Sequence, residues 1–93
     1  MGAFAIERIL DIDQVEYIAS LCGEMDNHLR IVEKALGVTV VNRAGQLKIN
    51  GGSDACEKAV KVFQALLRLL EKGQPVGAQT VDYCISAINE GSE

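Results

Sequence analysis

Apolar residues recur along this chain with two periods, and each change of period marks an element. Between Ser53 and Lys72, the residues Cys56, Ala59, Val60, Phe63, Leu66, Leu67 and Leu70 fall at intervals of three and four. That is the repeat of one face of a helix. Ser53 stands where an N-cap belongs, Asp54 and Glu57 occupy the first turn, and Arg68 and Lys72 the last. Each charge complements the helix dipole there, and Gly73 ends the run. Upstream, Val38-Thr39-Val40-Val41 is β-branched, and Gln46-Leu47-Lys48-Ile49-Asn50 alternates with period two, which puts Leu47 and Ile49 on one face. Asn42-Arg43-Ala44-Gly45 supplies turn chemistry between them, so a hairpin is predicted over 38–50.

The N-terminal third reads less cleanly. In Phe4–Leu10, Glu7 and Arg8 interrupt any helical stripe, and a strand is predicted. Asp13 and Glu16 have capping-box spacing, and Val15, Ile18, Ala19 and Cys22 follow on one helical face. Gly23 suits the left-handed residue that ends this short helix. Asp26 then stands as the cap of a second helix, with Leu29, Val32, Ala35 and Leu36 as its apolar stripe and Gly37 as its stop. Arg30, Glu33 and Lys34 face away from that stripe. Gln74–Gly77 is a connector, and Val81, Cys84, Ile85 and Ile88 predict a last helix over 78–90, before a frayed Gly91-Ser92-Glu93. The order is β-α-α-β-β-α plus one helix. A three-stranded antiparallel sheet with one apolar face needs a cover, and the helices supply it: the fold class expected is α+β, in two layers. One domain over 1–93 is expected, with a core module at about 4–72.

Composition narrows this picture. With 93 residues, 48% apolar and one proline, the chain is foldable rather than disordered. Its aromatic residues are Phe4, Tyr17, Phe63 and Tyr83, so the core must be aliphatic. Cys22, Cys56 and Cys84 are odd in number, widely spaced and each on an apolar stripe. Buried free thiols in a reducing, cytoplasmic setting are expected. No apolar run approaches the ~18 residues of a membrane span, and no secretory signal pattern opens the chain, so no membrane partner is expected.

The net charge of −4 counts against a strong general nucleic-acid binder. Its distribution is uneven: residues 1–26 carry −5, residues 27–61 carry +3 and residues 62–93 carry −2. The single His28 falls in a first helical turn, where a solvent-facing or capping role is expected. No nucleophile–His–acid spacing is readable, and Asp11 with Asp13 is too common a pair to indicate acid–base work. Gly51-Gly52-Ser53 lacks the lysine of a phosphate-binding loop and reads as a strand-to-helix corner. Catalysis and cofactors are therefore not expected in these residues, and a binding surface is what remains.

The element order is that of a type I KH domain, in which a GxxG loop between the first two helices clamps a nucleic-acid backbone. The matching positions are Gly23-Glu24-Met25-Asp26, where Asp26 replaces the second glycine and Glu24 adds a further carboxylate. Phosphates approaching this loop meet two negative charges, which bases gathered nearby would have to outweigh. The candidate nucleic-acid-binding residues are Gly23, Met25, Asn27, Arg30, Lys34, Arg43 and Lys48. The plainer reading makes Gly23 a helix C-cap and Asp26 an N-cap.

The wording of the segment is more specific than its order. Leu21-Cys22-Gly23, then Met25–Glu33, then Leu36-Gly37-Val38, followed by Ile49-Asn50-Gly51 and the long run over 53–72, resembles the opening domain of PhoH-like proteins. The departure from a strict GxxG resembles that family's own pattern. The resemblance implies a KH-like module ahead of a P-loop ATPase domain, linked to phosphate starvation and RNA metabolism. ATP and Mg would belong to that second domain, whose Walker motif is not in this sequence, and the last predicted helix would lead toward it. Implied partners are single-stranded RNA, the protein's own ATPase domain and sister subunits. A second expectation is an assembly module that docks on the ATPase domain, a sister subunit or a nuclease without binding RNA.

Overall fold

The computed structural model describes residues 5–91. Strand β1 (Ile6–Asp11) leads through a 3-10 turn (Val15–Tyr17) into helix α1 (Ile18–Cys22). A second 3-10 turn (Glu24–Asp26) precedes α2 (Asn27–Leu36). Strands β2 (Thr39–Arg43) and β3 (Gln46–Gly51) follow, then α3 (Ser53–Glu71) and α4 (Ala78–Asn89). The three strands form one antiparallel sheet in the order β1-β3-β2. This is the expected α+β architecture, compatible with a small KH-like domain. The predicted start of the first strand at Phe4, and Ser92-Glu93, lie outside the described residues.

Helix α3 lies across β1 and β3, and α4 packs on both α3 and α2. Phe63, Leu66, Ala59 and Cys56 of α3 meet Leu47 and Ile49 of β3 and Val32 of α2 in one apolar cluster. Val62, which the predicted stripe omits, is also fully buried. A helix covered by a sheet and by further helices buries more than a single stripe. The Cys56 thiol also approaches the Ile49 and Ile6 carbonyls at 3.7 and 3.8 Å, within the sheet-facing layer.

The hairpin register pairs Arg43 with Gln46, so Ala44-Gly45 is a two-residue turn with φ of +50° and +82°. Positive φ at both central positions gives the right-handed twist that flanking strands need. At Ala44 that conformation costs about 1–2 kcal/mol.

The first helical segment corrects three expectations. Ile12 turns inward after β1 and its N–H bonds the Gly45 carbonyl at 2.9 Å. The helix then opens as a 3-10 turn, whose shorter repeat breaks the i, i+3, i+4 count. Consequently Leu21 and Cys22 face the core, Ala19 is exposed and Val15 is 73% exposed. Gln14, not Asp13, holds the N-cap position, and no side chain bonds there, so the capping box does not form. The predicted N-cap at Ser53 shifts by one residue to Gly52, with Ser53 opening the helix. In α2, Ala35 is exposed while His28 joins Leu29 and Val32 inside. Among the described residues no helix is long and apolar enough to cross a membrane.

Candidate nucleic-acid interface

The junction between α1 and α2 is built around Gly23. Its N–H closes α1 on the Ala19 carbonyl at 2.9 Å, and its φ and ψ of 80° and 173° lie in a region essentially reserved for glycine. This is a C-cap, as the sequence suggests, but extended rather than left-handed helical. A Cβ at this position would stand 2.7 Å from Cγ of His28.

The His28 ring is what fills that space. It is 6% exposed, and its Nδ1 lies 3.0 Å from the Ser20 carbonyl and 3.2 Å from that of Leu21. Carbonyls only accept, so Nδ1 carries a proton and donates to both. The first turn of α2 thus reaches back and caps the exposed carbonyls of α1. His28 is a capping residue, but a buried one, and the solvent-facing alternative does not hold.

Met25 and Asp26 continue the loop in consecutive left-handed conformations, at φ of 52° and 60°. The Asp26 N–H returns to the Gly23 carbonyl at 3.1 Å, tightening the turn. Each such non-glycine residue costs about 1–2 kcal/mol, more readily tolerated by Asp than by Met. Asp26 stands at the N-cap position of α2, yet its side chain makes no capping bond, because left-handed backbone directs it away from the extended geometry that capping uses. Met25 is 86% exposed at the tip.

Between α2 and β2 runs a groove of about 270 Å³, lined by Asp26, Leu29, Arg30, Glu33, Val40, Val41 and Asn42. Strand β2 is an edge of the sheet. Because Arg43 and Gln46 flank the two-residue turn, Thr39, Val41 and Arg43 bond inward to β3, while the backbone of Val40 and Asn42 turns outward. The Val40 N–H donates to Oε2 of Glu33 at 2.8 Å, so one carboxylate occupies one of these outward positions. Asn42 presents its backbone to the groove one step further along.

The sequence-derived site residues fall into three groups. Gly23 and Met25 form the loop, while Asn27, Arg30 and Lys34 share a shallow depression on α2, with Arg30 common to that and the groove. Arg43 stands at the hairpin end of β2, on the sheet face away from the helices. Lys48 is not gathered beside the loop. Register places it between Ile9 and Val41 on that same open face, with Nζ 3.8 Å from the Glu7 carboxylate. Glu33, Val40 and Asn42 are groove residues that sequence reasoning missed. Glu33 reads as a solvated helix charge until a strand edge is brought against it.

The thiol of Cys22, beneath the loop, is pushed up to about 11 by burial and then by the Asp26 carboxylate. Burial raises the Cys84 thiol and, against a smaller opposing effect of Arg8, that of Cys56. All three cysteines are free and buried, and neutral thiols of this kind are poor nucleophiles. Among the described residues no group of three or more His, Cys, Asp or Glu is placed to hold a metal ion.

No protein-family model matches the chain, and no solved structure matches it. Among curated proteins it is similar to a PhoH-like protein of Bacillus subtilis (strain 168), at 29% identity over 66 residues. That alignment covers 71% of this chain and 21% of the relative, so the chain spans about a fifth of the relative's length.

Proposed function

We propose that this chain is an accessory RNA-binding module of a PhoH-like ATPase, presenting single-stranded RNA to an ATP-hydrolysing domain elsewhere in the protein. The observation that carries this reading is the groove between α2 and an open strand edge, closed at one end by the loop in which Met25 and Asp26 are left-handed. Backbone held in sparsely populated conformations marks functional loops more often than idle ones. The KH-like element order and the similarity to a PhoH-like protein support the same reading.

In this reading phosphates run past the loop and the first turn of α2, where Arg30 supplies positive charge and Asn27 and Lys34 flank it. Bases lie in the groove over Leu29 and Val40, and the outward backbone of Asn42 reads an edge. Arg43 extends the rim, whereas Lys48 lies off the path. ATP and Mg act in the other domain, and the protein's own ATPase domain and sister subunits are its protein partners in a cytoplasmic setting. The module at 4–72 is the binding unit, and α4 leads on toward the ATPase. Arg30→Glu tests this: affinity for short single-stranded RNA should drop about tenfold at low salt, and the slope of affinity against salt should fall by about one. Unchanged affinity and slope would remove the groove from the account.

One observation favours the assembly reading instead. On the open sheet face, Ile9 and Val41, 51% and 42% exposed, flank Lys48 in one cross-strand row. An uncovered apolar row of this kind suits docking against another protein surface. Ile9→Lys would abolish such docking and leave RNA affinity intact.

A further inference from the structure

We infer that the cleft between α3 and α4 is a second binding site, for a nucleotide unit bearing a phosphate and a planar base. It shares no residue with the α2–β2 groove and does not depend on the function proposed there. The cleft is open on one side and has a volume of about 530 Å³, within the range of small-molecule sites.

Its chemistry follows from three features. One wall is α3, where Lys61, Gln64 and Arg68 follow one another at helical spacing. In a chain of net charge −4, the residues lining this cleft include two cations and no carboxylate. Arg68 forms no ion pair among the described residues and is exposed, so its guanidinium can take a phosphate. The opposite wall is α4, which presents Tyr83 at 74% exposure. A tyrosine ring this exposed offers a face on which a base can stack. Between the walls, Ala65, Ala87 and Ile88 give an aliphatic floor, and the Gln64 amide offers both a donor and an acceptor for the edge of a base.

An inorganic anion would use Arg68 and leave the tyrosine idle. A purely apolar ligand would bury Arg68 without a partner. A nucleotide satisfies both walls. The free mononucleotide and one residue of a nucleic-acid strand share this chemistry, and the test separates them.

The test is an amide-shift titration of the isotope-labelled 93-residue chain with AMP, ribose 5-phosphate, inorganic phosphate and a five-residue oligoadenylate. AMP should move resonances at Gln64–Arg68 and Tyr83–Ile88, with ribose 5-phosphate about fivefold weaker or worse for want of a base to stack. Tyr83→Ala should weaken AMP about fivefold or more, Tyr83→Phe should restore it, and Arg68→Glu should weaken it about tenfold. Both side chains are exposed at helix surfaces, so the variants fold. Tighter binding of the oligoadenylate at these positions supports a strand-borne nucleotide, and equal or tighter binding of AMP supports a free one. No shift at these positions, or shifts with phosphate and ribose 5-phosphate equal to those with AMP, would overturn the inference. Arg30→Glu must leave AMP binding here unchanged, which separates this site from the α2–β2 groove.

Discussion

The molecule carries two grooves made in opposite ways. The α2–β2 groove is bounded by a loop with a glycine-only conformation, two left-handed non-glycine residues and a buried histidine that ties two helices together. It contains two carboxylates, Asp26 and Glu33, against one cation, Arg30. The α3–α4 cleft lies between two regular helices, has no unusual backbone, and is lined by cations without carboxylates. Shape has been specified at considerable local cost in the first, and the second offers the exposed guanidinium of Arg68. A groove that relies on shape should be fragile to backbone changes. A cleft that relies on side-chain chemistry should behave the other way round.

The largest effect should come from Gly23→Ala. It forces a side chain into positive φ and against the His28 ring, so urea unfolding should show a loss of about 2–4 kcal/mol. Arg68→Glu and Tyr83→Ala, at the second groove, should stay within about 0.5 kcal/mol of the parent. Equal losses at both places would erase the contrast.

Alkaline unfolding probes Cys22, beneath the loop, and Cys84, in the wall of the α3–α4 cleft. The folded-state pKa of Cys22 is raised from 9.0 to about 11, so the neutral thiol is favoured in the fold. As pH rises past 9 the unfolded chain loses this proton first, and stability should fall between about pH 9 and 11. Cys22→Ala should flatten the profile in that window. Cys84 is raised by burial alone, without a neighbouring carboxylate. Its removal should change the profile less.

Glu33→Gln keeps an acceptor for the Val40 N–H but removes a charge. A stability loss of about 0.5–1 kcal/mol is expected from weakening a charge-assisted bond, together with tighter RNA binding in the first groove. The smallest change should be Ala44→Gly, a control away from both grooves. Relief of its left-handed strain, partly offset by backbone entropy, should stabilise the fold by about 0.5 kcal/mol without altering either groove.

Much of this architecture is legible in the sequence because it is local. The spacing from Cys56 to Leu70 defines α3, and the alternation through Leu47 and Ile49 defines β3. That alternation also contained the placement of Lys48: a residue between two inward-facing neighbours must face the other side of the sheet, away from the helices. Weighing the middle third by charge alone obscured that signal. The capping bond expected of Asp26 fails for a different reason. A capping assignment assumes ordinary backbone, and the left-handed conformation at Met25-Asp26 exists only because the fold holds it. Glu33 was invisible as a groove residue, since its partner N–H lies on another element and is presented by the sheet order.

The central claim is that the α2–β2 groove receives RNA, and an amide-shift titration of the labelled chain with short single-stranded RNA, at low and at physiological salt, tests it most directly. The account predicts shifts clustered at Gly23–Arg30 and Val40–Asn42 that shrink as salt rises. A flat response at those positions at low salt, whatever happens at Arg68 and Tyr83, would contradict it.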